Sequence, residues 1–210
     1  MKNSISLKVI GILVAALSAI ALAALVYWHQ IDNTNSNPAP KIGFLPVIDI
    51  GGPFALTDHN GSKITENSFP GKFLLITFGY TFCPDVCPTG LARITAALNR
   101  LGKTADLVQP LFISVDPDRD TPEALATYVT HFHPKMLGLT GNKDEIDSVT
   151  KTYRVLRHVV TQDDASEYLL NHTTFFYLVA PSGKIARIFR HATSVDALAE
   201  AISTELAKEG

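Results

Sequence analysis

The chain reads as an α/β protein in which one exported domain, opened by a small N-terminal hairpin, is preceded by one transmembrane helix. Three observations carry this reading. Strand-length apolar runs alternate with segments of helical periodicity from residue 73 onward, a hairpin pattern precedes them, and the first thirty residues hold an unbroken apolar stretch.

From Val9 to Gln30 there is no Asp, Glu, Lys or Arg, and Ile10 to Trp28 is almost wholly apolar. About 20 such residues cross a bilayer core. Lys2 and Lys8 precede the run and Asp32 follows it, so the positive-inside bias leaves the N-terminus in the cytoplasm and exports everything beyond residue 30. Tyr27, Trp28 and His29 suit the outer interface. The rival reading is a cleaved signal peptide, since Ala19-Ile20-Ala21 and Ala21-Leu22-Ala23 have cleavage-like spacing. Against it, the apolar run continues to Trp28, past where a processed end turns polar. The organisation expected is a membrane anchor over residues 1–30, a flexible tether over 31–41 rich in Asn, Ser and Pro, and a domain over 42–210. A short N-terminus without an Arg- and Ser-rich transit peptide places the protein in a bacterial inner membrane with its domain in the periplasm.

Within the domain, Phe54 to Leu56 and Ser62 to Thr65 flank Asp58-His59-Asn60-Gly61, a hairpin with an Asn-Gly turn. Phe73 to Gly79 is a continuous apolar run, expected for a strand covered on both faces. Leu91, Ile94, Leu98 and Leu101 recur at helical spacing, and Leu111 to Val115 is a second buried strand, which together make a βαβ crossover. Thr121-Pro122 caps a helix to about His131. Met136 to Thr140 is a short strand, Asn142 or Asp144 opens a helix toward Lys151, and Tyr153 to Val159 is extended. Thr174 to Val179, the turn Pro181 to Lys184, and Ile185 to Phe189 form a hairpin, followed by an amphipathic helix from Val195 to Ala207. Alternating units with a ββα ending fit a thioredoxin-like domain.

Composition narrows the function. With 46% hydrophobic residues the chain is not dominantly disordered, and 20 acids against 18 bases leave no basic footprint for nucleic acid. The two cysteines, Cys83 and Cys87, stand four residues apart at a strand-to-helix junction, a site and not a scaffold of disulfides. In or near a first helical turn that spacing brings both side chains to one face, at a distance suiting either chelation or a disulfide. A helix N-terminus favours the thiolate form.

Two thiolates leave a soft metal under-coordinated. Of the seven histidines, His172 is the best third ligand, because it directly precedes the strand whose start faces the cysteine loop in a thioredoxin-like topology. Soft sulfur with imidazole suits copper or zinc, and two sulfurs with one nitrogen and an open position fit a copper carrier. Structural zinc would want a fourth protein ligand. Thiol-disulfide exchange and a purely structural disulfide stay open on the residues alone.

Three motifs in order, Thr81 to Pro88 around the cysteines, Val115-Asp116-Pro117-Asp118-Arg119-Asp120-Thr121-Pro122, and Tyr168 to Thr173, resemble the SCO/SenC family over about residues 44 to 206. Its members are membrane-tethered, thioredoxin-like copper-binding proteins of cytochrome c oxidase assembly. The resemblance implies Cys83, Cys87 and His172 as ligands of Cu(I) or Cu(II). It implies delivery to the dinuclear copper centre of the oxidase's copper-binding subunit, with another copper carrier or a thioredoxin-like reductant as further partner. It also implies the alternative role of a thiol-disulfide reductase that keeps the oxidase's copper-binding cysteines reduced. No substrate bond is made or broken by a carrier, so the protein reads as a non-enzyme. Asn171 departs from the family, which has an acidic residue before the histidine; the departure bears on the charge around the site and predicts weaker Cu(II) relative to Cu(I).

Asp116 and Arg119 follow a strand whose C-terminal end lies beside the cysteine loop, and read as a turn with a helix cap or as a docking element, not as ligands. His131 and His133 read as helix-end caps, and His59, His158 and His191 as solvated or locally bonded. Tyr80 and Phe82 shield the site. Thr81-Phe82-Cys83-Pro84 is an incomplete peroxidase-like motif, lacking a proline before the threonine, and ranks last.

Overall fold

The computed structural model describes residues 17–28, 50–160 and 168–209. The chain divides between Gly43 and Phe44 into two units. In the first, residues 17–28 form a helix, α1, with exposed side chains. Among the described residues no helix is long and apolar enough to cross a membrane. The described residues do not show the span expected over Ile10 to Trp28; its beginning, His29 and the tether of residues 31–41 lie outside them.

The second unit carries β1 (Ala55–Asp58), β2 (Lys63–Thr65), β3 (Phe73–Gly79), α2 (Val86–Leu101), β4 (Val108–Ser114), α3 (Pro122–Val129), β5 (Leu137–Thr140), α4 (Lys143–Thr152), β6 (Arg157–Val160), β7 (Leu169–His172), β8 (Phe175–Val179), β9 (Ile185–Arg190) and α5 (Val195–Glu209). Seven strands form one sheet in the order β2-β1-β5-β4-β3-β8-β9, and β6 pairs with β7 apart from it. β3, β4 and β5 are parallel, while β1, β2, β8 and β9 join antiparallel. The β3-α2-β4 crossover followed by β8-β9-α5 is the expected thioredoxin-like arrangement, with the β1-β2 hairpin added at the edge through β5.

Alternation along β3 explains the two-sided core. Phe73 and Leu75 face Leu91, Ile94 and Leu98 of α2, Leu125 of α3 and Ile202 of α5. Leu74, Ile76 and Phe78 face the opposite layer, with Leu56, Ile146, Val149 and Tyr153. Both cysteines belong to this second layer, at its edge. The hairpin turn is made by Asp58, whose carboxylate accepts the N–H groups of Asn60 (2.9 Å) and Ser62 (2.7 Å), with Gly61 at φ +84.

The differences from expectation are local. β4 starts at Val108, before Pro110, because β5 joins β4 only from Leu111 onward; Pro110 lies where β4 has a strand on one side only, and its missing N–H is tolerated. α3 stops at Val129, two residues before His131. The extended segment begins at Arg157 and not Tyr153, since Tyr153 and Arg154, at φ 55, finish α4. β7 was not expected: its four residues, Leu169 to His172, hold too little alternation to announce a strand, and they pair only with β6.

Candidate metal centre

The C-terminal ends of parallel β3 and β4 share one edge of the sheet, and antiparallel β8 starts there. Loops at such an edge are where open α/β sheets build sites. Cys83 lies on the loop after β3, Cys87 in the first turn of α2, and His172 at the end of β7. Their ligand atoms all lie within 4.8 Å of one another, and among the described residues no other His, Cys, Asp or Glu joins the group. Both cysteines are free thiols and nearly buried, 8% and 7% exposed.

Glycine makes room for this. A Cβ at Gly79 would stand 2.6 Å from the Phe112 ring and 2.9 Å from the Cys87 sulfur, so only glycine lets the thiol settle against the end of β3. Asp120 then fixes the loop. This fully buried carboxylate accepts the Thr81 N–H (3.1 Å) and the hydroxyls of Thr81 and Ser114 (both 2.6 Å), and its burial pushes its pKa up. Asp85 occupies the N-cap of α2 without capping it. The acceptor is sulfur: the Cys87 N–H donates to Cys83 Sγ at 3.4 Å.

His172 is oriented by its neighbours. Its Nδ1 lies 3.0 Å from the Thr173 carbonyl, which can only accept, so Nδ1 carries the proton and Nε2 presents a lone pair. That Nε2 is 3.4 Å from the Cys87 sulfur. Tyr80 packs edge-on against the imidazole, with ring centroids 5.9 Å apart, and its hydroxyl accepts the Leu170 N–H at 3.1 Å. A hydrogen bond to the Cys87 thiol, with smaller help from His172 and from the N–H groups of Cys87 and Asp85, holds Cys83 down to about 4. The same pairing, followed by burial, pushes Cys87 strongly up. The pair titrates as a unit, its first proton leaving more readily than from an isolated thiol and its second less readily. A cation that displaces this proton meets two sulfurs and an imidazole nitrogen.

The other residues singled out from the sequence are placed differently. Asp116 and Arg119 are not in the ligand cluster; Arg119 Nε donates to Asp116 at 2.6 Å, and Tyr168 donates its hydroxyl to the same carboxylate at 2.6 Å. Asn171 alternates to the face of β7 away from His172, where its amide lies 3.3 Å from His158. Phe82 is 47% exposed, whereas Tyr80 is buried beside the histidine. His59 and His133 accept backbone N–H bonds, and His191 donates to the Val86 carbonyl at 2.6 Å, so all three are locally bonded. Sequence reasoning missed Gly79, Asp120, Tyr168 and the Thr173 carbonyl. Only Asp120 left a signal: it stands beside the capping Thr121-Pro122, where a second capping residue has no helix to cap.

Comparison with known proteins follows this geometry. The SCO1/SenC family model matches residues 46–207. Protein sco1 of Schizosaccharomyces pombe is 39% identical over 202 residues, 92% of this chain and 75% of that protein. The human mitochondrial SCO1 homologue is 40% identical over 159 residues, 75% of this chain, and the chain spans about half, 53%, of its length. The structure of Bradyrhizobium japonicum ScoI with copper bound superposes with a TM-score of 0.68 at 42% identity, covering 77% of this chain and 99% of that one. Matched over most of its length by the family model and by relatives of this identity, the chain belongs to the SCO1/SenC family.

Proposed function

We propose that this chain is a copper carrier in which Cys83, Cys87 and His172 hold Cu(I) or Cu(II) as cargo. The observation that carries the reading is the convergence of two sulfurs and an imidazole nitrogen within 4.8 Å, with no further His, Cys, Asp or Glu joining them among the described residues. Soft sulfur and imidazole donors select copper, and an open position allows an incoming ligand to begin exchange. Membership of the family and the copper-bound B. japonicum neighbour support copper as the cargo.

On this reading the acceptor is the dinuclear copper centre of cytochrome c oxidase, approached through the oxidase's copper-binding subunit during assembly. Residues 1–30 anchor the protein in the bacterial inner membrane and residues 31–41 tether the periplasmic domain. Tethering raises effective concentration at a membrane-embedded acceptor without adding contacts. Another copper carrier supplies the metal, and a thioredoxin-like reductant keeps the thiols reduced.

The low Cys83 value favours one second reading, a thiol-disulfide reductase for the acceptor's cysteines. The Cys83 thiolate attacks one sulfur of the substrate disulfide, the other leaves as thiolate, and Cys87 then displaces the reduced substrate while forming the Cys83–Cys87 disulfide. Copper titration of the reduced protein, wild type against His172→Ala, separates the two. One equivalent bound through sulfur and nitrogen, with affinity collapsing in the variant, establishes the carrier. Equal weak binding by both proteins, alongside rapid exchange with a disulfide substrate, establishes the reductase.

A further inference from the structure

The three ligands come from two elements that share no strand pairing. The cysteine loop is the continuation of β3, while His172 sits on the β6-β7 hairpin, outside the main sheet. The chain itself links them at one point, through Thr173 and Thr174 into β8, which pairs with β3; elsewhere side chains hold one against the other, and the loop between β4 and α3 supplies several of them. The Arg119 guanidinium lies 3.7 Å from the ring centroid of Tyr168, at the start of β7, and 4.6 Å and 5.7 Å from those of Phe82 and Tyr80 on the cysteine loop. It also donates through Nη1 to the Tyr168 carbonyl (3.0 Å) and through Nε to Asp116. Asp116, its side chain 3% exposed, binds the Tyr168 hydroxyl as well. One side chain therefore touches the aromatic residues of both ligand-bearing elements and is itself oriented by a buried carboxylate. A second arginine, Arg157, ties β6 to the Val115 carbonyl and to Asp147, but reaches neither cysteine-loop aromatic ring.

We propose that Arg119 is a positioning residue that docks the histidine-bearing hairpin onto the cysteine loop, and so sets whether His172 joins the two thiolates on copper. The second half of this statement rests on the copper reading above; the first does not. A planar guanidinium can stack between rings while donating sideways to two acceptors, which a lysine ammonium cannot do. Lysine would keep the charge opposite Asp116 and still leave the hairpin undocked.

The test compares wild type, Arg119→Gln, Arg119→Lys and the double variant Asp116→Asn/Arg119→Gln, which leaves no unpaired buried carboxylate and so preserves the fold if the single variant does not. In metal-free protein, exchange of the Leu170 amide, which donates to the Tyr80 hydroxyl, should quicken roughly tenfold in all three variants, the scale of a lost desolvated cation–π contact. On titration, Cu(I) should still bind one equivalent through the thiolates. Cu(II) should bind roughly 10–100-fold more weakly, as when a supporting contact to a metal ligand is lost, and nitrogen coupling in its electron paramagnetic resonance spectrum should disappear. Wild-type exchange and nitrogen coupling in the double variant would overturn the proposal, as would full rescue by Arg119→Lys, which would assign Arg119 a charge-pairing role alone. Wild-type protein that takes up no copper would overturn the metal half, and the exchange rates would still decide the docking half.

Discussion

The cysteine loop runs between two core elements, β3 and α2, whereas His172 ends a two-stranded ribbon that joins the central sheet at one end only, through Thr173 and Thr174 into β8. The loop leaves β3 at Gly79, is pinned by the buried Asp120 and runs straight into α2. The ribbon's strands pair only with each other, and besides the link into β8 it meets the rest through arginine side chains, the Tyr80 hydroxyl and a few buried residues such as Leu170. Two ligands thus lie between core elements at both ends, while the third lies at the junction of the sheet with a ribbon whose docking rests on side-chain contacts. For a carrier that difference has a use: the thiolates retain the cargo while the imidazole lets go.

Removing the fixed half should have the largest effect. Cys83→Ser or Cys87→Ser should abolish copper retention on a desalting column, since one sulfur with an imidazole no longer makes a soft chelate. Gly79→Ala should follow. Its methyl group would meet the Phe112 ring and the Cys87 sulfur, and overpacking of this kind costs about 1–3 kcal/mol, read as a lower urea midpoint together with weaker copper binding.

Asp120→Ala would remove the pin without touching a ligand. It leaves the Thr81 N–H and the Ser114 hydroxyl without their acceptor, for about 1–3 kcal/mol of destabilisation in urea melts. Acidity sharpens the comparison from another side. The depressed Cys83 value makes the folded reduced protein bind fewer protons than the unfolded chain between about 4 and the ordinary thiol value, so stability rises with pH across that window and the contribution is lost as pH falls through about 4. Above the ordinary thiol value of about 8.5, Cys87, pushed up, reverses the slope. Urea melts against pH should show this maximum, and the double Cys83→Ser/Cys87→Ser variant should flatten it.

The smallest effect is expected at Asn171. Because its side chain faces His158 on the far side of β7 from His172, Asn171→Asp should change affinity for either copper state by no more than a few-fold in a copper titration. A large gain in Cu(II) affinity would restore the view, drawn from the family pattern, that the residue before the histidine acts on the metal through its charge.

How far the sequence foretold these two regions differs for a physical reason. β3 and α2 announce themselves because apolar periodicity reports burial, and Cys83 and Cys87 stand out because soft donors are rare and here adjacent. His172 could be chosen from seven histidines only because a topology had already been inferred for the strand after it. β7 escaped notice because four residues, one of them buried, are too few to show a period, and the roles of Asp120, Tyr168 and Arg119 depend on residues 39 to 49 positions away in the chain. Pattern within a window reveals what each segment buries, not which distant loop it will hold.

The bond from the Cys87 amide to the Cys83 sulfur carries one more consequence. Helix α2 is started by a sulfur acceptor in the place usually taken by a side-chain oxygen. Whatever draws electron density from that atom, a bound cation or a second sulfur in a disulfide, weakens the acceptor at the head of a sixteen-residue helix. The amide at its first turn is therefore a gauge wired to the chemistry of the site, and its resonance reports, from within the backbone, whether the sulfur is empty-handed, loaded or oxidised.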